Sequence, residues 1–292
     1  MKPAPFEYYA PRSVPEVLSL LHEHGYDAKV LAGGQSLVPM MNFRLVQPAV
    51  IVDINHIPEL AAIQAEKKSL KLGAMVRHAT AEKDSMVKEM APLVYESMPQ
   101  IATTQIRNRG TIGGSLSHAD SSAELVVVST ALEAKFKIQN QDGERVIPAS
   151  EFFIGLLMTA MEPEELLVEI EIPSLPPRSG WSLKEVARRP HDFALVGVAA
   201  VITLDRKERC ESARLVYLSA GDGPISAPEA ATLLKGEKIT PDLIAAAADK
   251  AAVDEIDPGN DIHASAEFRR HLANVLTRRA LEEAHQRALA GK

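Results

Sequence analysis

Val14, Val17, Leu18, Leu20 and Leu21 recur at steps of three and four, the spacing of an amphipathic helix packed on a core. Ser13 and Glu16 stand ahead of them at capping-box spacing, and Gly25 supplies the stop. A short apolar strand at 28–31 then runs into a glycine loop, Ala32-Gly33-Gly34-Gln35-Ser36, and the β-branched stretch 49–54 reads as a buried strand. Residues 61–65 and 70–74, joined by Glu66-Lys67-Lys68-Ser69, predict a hairpin, and 80–101 predicts one or two short helices interrupted at Pro92 and Pro99.

A second glycine loop, Gly110-Thr111-Ile112-Gly113-Gly114-Ser115, follows the basic stretch Arg107-Asn108-Arg109. Ser121 and Glu124 repeat the capping-box spacing before a helix predicted to run buried to Ala134. Strands are expected at 135–139, 144–148 and 166–172, the last alternating as a half-buried strand does. Residues 173–180, with three prolines, break every pattern and mark a domain boundary. Beyond them come three strands, 182–187, 194–204 and 214–220, and two helices. One spans 241–252 behind Thr240; the other spans 266–290 with Phe268, Leu272, Val275, Leu276 and Leu281 as its inward stripe.

A chain of 292 residues with 46% hydrophobic and 24% charged positions has a core large enough for two domains. The net charge of −7 points away from nucleic acid and from anionic membrane surfaces. The longest apolar run, 193–204, is too short for a membrane span, and MKPAPFEYYAPRS lacks the unbroken apolar stretch of a signal peptide. The expected setting is cytoplasmic. One cysteine, Cys210, leaves no thiolate set for an iron–sulfur cluster or a zinc site, and the histidines form no metal-binding pair, so no metal is expected on this chain.

The glycine loops carry the candidate chemistry. Adjacent glycines let main-chain N–H groups converge on an anion, and a diphosphate would accept several such bonds. Neither loop has the spacing of a known phosphate-binding fingerprint, and each taken alone reads as a tight turn rather than a nucleotide loop; it is the pair that points to a ligand. His118, Asp120 and Glu124, just past the second loop, could meet ribose hydroxyls or could simply cap a helix. Lys184 is a placed cation or an edge-strand lysine, and Arg188–Asp192 reads as a solvated loop.

Four segments in order, LAGGQSLVPMMNFRL with AVIVDIN, RNRGTIGGSLSHADSSAEL, SLKEVARRPHDFALVGVAAVI and SAEFRRHLANVLTRRAL, resemble the FAD-binding medium subunit of molybdenum hydroxylases, the xanthine dehydrogenase and carbon monoxide dehydrogenase relatives. The resemblance covers essentially the whole chain. It implies an α+β fold: a two-lobed FAD-binding domain of the PCMH or vanillyl-alcohol-oxidase-like type over 1–177, with lobes of about 1–58 and 59–177, then a small α+β C-terminal domain of the carbon monoxide dehydrogenase flavoprotein type over 178–290.

Position by position, the resemblance implies that Ala32, Gly33, Gly34, Gln35, Ser36 and Leu37 hold the FAD diphosphate, with Thr111, Ile112, Gly113, Gly114 and Ser115 as the second loop. It places Ile101 and Met161 as apolar contacts near the flavin, Glu124 as a carboxylate on the cofactor with Asp120 beside it, and Lys184 and Phe193 near the isoalloxazine. Many relatives have His where this chain has Gln35 and Pro where it has Ser121; neither change removes an amide donor. The FAD is expected to be non-covalent. The partners implied are a large molybdopterin subunit and a small subunit with two [2Fe–2S] clusters, in a dimer of heterotrimers. Electrons would pass to an external acceptor, with no catalytic residue for substrate chemistry on this chain. The competing readings are a free-standing flavin oxidase or dehydrogenase of the same FAD-domain fold and a non-catalytic nucleotide-binding assembly module.

Overall fold

A computed structural model describes Met1–Gly291. Strand β1 (Glu7–Tyr9) leads to helix α1 (Val14–His24), strand β2 (Ala28–Leu31), helix α2 (Leu37–Asn42) and strand β3 (Val50–Asp53). The three strands form a parallel sheet in the order β1-β3-β2, and Val17, Leu18 and Leu21 of α1 pack on it with Val50, Val52 and Ile54. The helix forms where its apolar spacing predicts, but the capping box does not. The Ser13 side chain caps nothing, and Glu16 reaches back to the N–H of Arg12 at 2.8 Å instead.

Strands β4 (Ile63–Ala65) and β5 (Ser69–Gly73) make the expected hairpin. Short helices α3 (His78–Ala81), α4 (Ser85–Met90), α5 (Pro92–Ser97), α6 (Thr104–Arg107), α7 (Ile112–His118) and α8 (Glu124–Ala131) follow. The chain then adds β6 (Lys135–Asn140), β7 (Gly143–Pro148), α9 (Ala149–Phe152), the small hairpin of β8 (Phe153–Gly155) and β9 (Met158–Thr159), and β10 (Leu166–Pro173). The antiparallel sheet β4-β5-β10-β6-β7 packs against the helices around Phe136, Ile138, Ile170 and Leu116. The second glycine segment is therefore no loop, since α7 begins inside it. The Ser121–Glu124 capping box also fails: α8 starts at Glu124 behind Ala123, and Asp120 takes the N–H of Ser122 in a local turn.

Strands β11 (Ser179–Ala187), β12 (Ala194–Leu204), β13 (Cys210–Leu218) and β14 (Ile225–Ser226) form an antiparallel sheet in chain order. β11 opens three residues before its predicted start, and β13 occupies 210–218 rather than 214–220. Helices α10 (Pro228–Leu234), α11 (Pro241–Lys250) and α12 (Ala266–Leu289) cover one face of this sheet. Every residue of β12 is buried because the sheet is covered on both sides: Ala199 and Val201 join the core shared with α8, while Val198, Ala200 and Ile202 lie under α12. That double cover explains the unbroken apolar run.

The inward face of α12 differs from the stripe expected. Phe268 is exposed and Val275 half-buried, while Ala273, Leu276, Ala280, Leu281, Ala284 and Ala288 face the sheet. Small alanines let the helix sit close to the strands, and a Tyr217–Thr277 hydroxyl pair at 2.7 Å ties its middle to β13. Among the described residues, no helix is long and apolar enough to cross a membrane.

Candidate functional site

The first glycine loop links the C-terminal end of β2 to the start of α2. The N–H groups of Gly33, Gly34, Gln35, Ser36 and Leu37 take no protein acceptor among the described residues, giving five consecutive open donors. Gly34 has φ +72°, a left-handed conformation that side chains resist. At Gly33 a Cβ would lie 2.4 Å from the carbonyl oxygen of Arg109, so glycine is what allows the loop to touch the turn before α7. Fixed, converging N–H groups of this kind form a concavity for phosphate oxygens.

The second segment behaves differently. The Ile112 N–H donates to Val76 at 2.9 Å, Gly113 to Ala74 at 2.8 Å, Gly114 to the Thr111 hydroxyl at 3.0 Å, and Ser115 to the Thr111 carbonyl at 3.0 Å. Four amides expected to cradle the cofactor are thus already bonded, those of Ile112 and Gly113 to the stretch after β5 and those of Gly114 and Ser115 to Thr111 at the start of α7. Their contribution is to placement. A Cβ at Gly114 would come within 3.6 Å of the Ala32 methyl, so the two glycine segments do meet, as one open cradle backed by a packed helix end.

Residues outside both motifs hold this junction. Asp53, at the end of β3, accepts from the Tyr8 hydroxyl at 2.6 Å and from the Asn55 N–H at 2.8 Å. These donors hold its carboxyl below the ordinary range against an opposing cost of burial, which is the largest single influence. The Asn55 amide donates to the Ala32 carbonyl at 2.8 Å, and Arg77 bridges Asn55 to the carbonyl of Arg109. Beneath the turn His78 is buried with neither ring nitrogen partnered, and burial drives its pKa down to about 4, so the imidazole is neutral there. Arg107, also buried, bonds Glu82 at 2.9 Å and the carbonyls of Ile101 and Ala102 at 3.0 and 2.8 Å.

The expected apolar contacts belong to one core. Ile101 is buried in the core on which Met161 packs, and the Met161 sulfur lies 3.9 Å from the Ser117 hydroxyl on α7. Glu124 opens α8 close to Asp120. Burial, then the Asp120 charge, lifts its pKa to about 7. Side chains alternate along β11, so Lys184 and its neighbour Glu185 face opposite ways. Lys184 pairs with Glu283 of α12 at 2.5 Å, on the face away from Glu124. Glu185 is the residue on the Glu124 side: one of its oxygens is buried without a partner, and burial together with the Glu124 charge pushes its pKa to about 8. Phe193 is 74% exposed in the loop before β12. A cavity lined by Asp249, Asn274 and Arg278 lies between α11 and α12 and includes none of these residues.

Five open amides on a left-handed glycine turn form a concavity of the kind that accepts phosphate oxygens. Comparison with known sequences agrees. The profile for the FAD binding domain in molybdopterin dehydrogenase matches residues 4–175, and that for the CO dehydrogenase flavoprotein C-terminal domain matches residues 181–284. The chain is 42% identical over 288 residues to the 6-hydroxypseudooxynicotine dehydrogenase complex subunit alpha of Paenarthrobacter nicotinovorans, covering 99% of this chain and 97% of that one. It is 36% identical to the carbon monoxide dehydrogenase medium chain of Hydrogenophaga pseudoflava, covering 98% and 99%. Among solved structures, carbon monoxide dehydrogenase from Hydrogenophaga pseudoflava superposes with a TM-score of 0.95 at 36% identity, covering 98% of this chain and 99% of that one. Quinoline 2-oxidoreductase from Pseudomonas putida 86 gives 0.94 at 37%, covering 99% and 100%.

Fold and site together define a flavoprotein subunit of an oxidoreductase. The chain belongs to the family of FAD-binding medium subunits of molybdenum hydroxylases, which includes carbon monoxide dehydrogenase medium chains and xanthine dehydrogenase FAD-binding subunits.

Proposed function

We propose that this chain is the electron-transfer subunit of a molybdenum hydroxylase, receiving electrons from [2Fe–2S] clusters on a small subunit and delivering them to an external acceptor. Substrate hydroxylation would belong to a large molybdopterin subunit, and two such heterotrimers would associate. When bound, FAD supplies the ability to take up electrons one or two at a time. The chain's own part is to bind, orient and wall off that group. The run of open N–H groups from Gly33 to Leu37 is the observation that carries this reading, since no acceptor among the described residues takes them. Ile101 and Met161 would exclude water from the ring, and Glu124 would meet the cofactor beside Asp120. The single cysteine is consistent with clusters held elsewhere.

We also infer a domain boundary at 177/178, supported by β10 and β11 belonging to different sheets. The two parts share a core, since Leu183, Val216 and Leu218 cluster with Leu125 and Val128 of α8. The C-terminal domain therefore braces the FAD domain. The test is to purify the chain with and without its partner subunits. The expected result is yellow protein in both cases, with flavin reduction by a small-molecule substrate only when the partners are present. Reduction by substrate in the isolated chain would identify a free-standing oxidase instead.

A further inference from the structure

We propose that Asn55 and Arg77 are positioning residues for the diphosphate cradle: together they staple the first glycine loop to the turn before α7 and aim the Gly33 N–H into the open side. The proposal rests on the FAD reading above and adds to it the device that orders the donors.

The geometry runs through main-chain carbonyls. In a trans peptide the carbonyl and the following N–H point in opposite directions. The Asn55 amide holds the Ala32 carbonyl at 2.8 Å, so the N–H of Gly33 is turned away from Asn55. Gln35 does the same one peptide later, its amide donating to the Gly33 carbonyl at 3.1 Å and turning the Gly34 N–H. Asn55 is itself set by Asp53, which takes its main-chain N–H at 2.8 Å and also its side-chain amide. Tyr8 anchors Asp53 from β1.

Arg77 carries this order across to the second lobe. One arm of its guanidinium donates to the side-chain amide oxygen (Oδ1) of Asn55 and the other to the main-chain carbonyl of Arg109. That Arg109 oxygen is the atom against which the Gly33 Cα rests. Arg77 therefore grips both sides of the contact between the lobes. A planar fork with separated donors suits two acceptors at once, which a lysine ammonium cannot reproduce. Burial and the nearby Arg109 charge lower the basicity of the guanidinium, consistent with a group enclosed between two loops.

The test uses the full chain stripped of flavin, with FAD, ADP and riboflavin as probes and flavin fluorescence or calorimetry as readouts. ADP carries the diphosphate without the ring; riboflavin carries the ring without the diphosphate. Arg77→Met is expected to weaken FAD and ADP by the same factor, about 10- to 100-fold, and to leave riboflavin unchanged. Asn55→Asp, which keeps an acceptor for Arg77 and loses the donor to Ala32, should weaken the same two ligands, and Arg77→Lys should fall between Arg77→Met and the parent. The deficit should persist at high salt. A deficit abolished by salt would mean that Arg77 acts as a charge on the phosphates, and equal weakening of riboflavin would mean general disruption; either overturns the proposal, as does unaltered ADP binding in both Arg77→Met and Asn55→Asp. Should the parent chain itself bind no FAD, the functional reading fails first, and the parent control shows this before any variant is compared.

Discussion

Replacing Glu185 by glutamine should stabilise the flavin-free chain at alkaline pH and leave it unchanged at acid pH. Burial, and then the neighbouring Glu124 carboxyl, lifts Glu185 from an ordinary 4.5 to about 8. Between those two values the folded chain keeps a proton that the unfolded chain has released. Unfolding therefore releases a proton, and rising pH favours it. The contribution of Glu185 to stability is whole below about pH 4.5 and is lost as the pH climbs toward 8. At 1.36 kcal/mol for each tenfold change, the ceiling is about 5 kcal/mol. Water still reaches part of this side chain, which reduces the effect to about 2–3 kcal/mol. Glutamine keeps the shape and cannot ionise. Urea unfolding at about pH 4 and about pH 9 should show Glu185→Gln level with the parent at the first and about 2–3 kcal/mol more stable at the second. An equal difference at both pH values would refute the argument, because a simple packing change has no reason to follow a proton. Glu124→Gln should show the same sign with a window closing near pH 7.

Gly33→Ala forces a methyl to within 2.4 Å of the Arg109 carbonyl, so the loop must move; the purified variant should lose its flavin absorbance, and full FAD occupancy would count against the cradle. Arg107→Met leaves Glu82 without its cation and frees two carbonyls beside Ile101. It should cost about 3–5 kcal/mol in chemical denaturation, the range for breaking a buried charge pair. Lys184→Met should retain FAD and lose no more than about 1 kcal/mol, since its pair with Glu283 is part exposed; loss of bound FAD would instead return Lys184 to the cofactor site.

Much of this protein is legible along the chain. The apolar runs of β2, β3, β10 and β12 and the long C-terminal helix are set by local pattern, and the glycine motifs announce where backbone must approach a ligand or another backbone. Which of those two uses applies is not local. Gly33 and Gly34 leave their N–H groups open, whereas the amides of Ile112 and Gly113 are taken by carbonyls of Val76 and Ala74, groups that come near only when the sheet and α7 pack. The same holds for Lys184 and Glu185. A strand's alternation is visible in sequence, but its facing is fixed by which side α12 covers, and that decides which of the two neighbours shares a buried face with Glu124. Asn55 and Arg77 carry no motif of their own. They acquire a role because the fold brings the carbonyls of Ala32 and Arg109 to opposite sides of one guanidinium–amide pair, and hydrogen bonds between distant peptides leave no periodic trace in the chain.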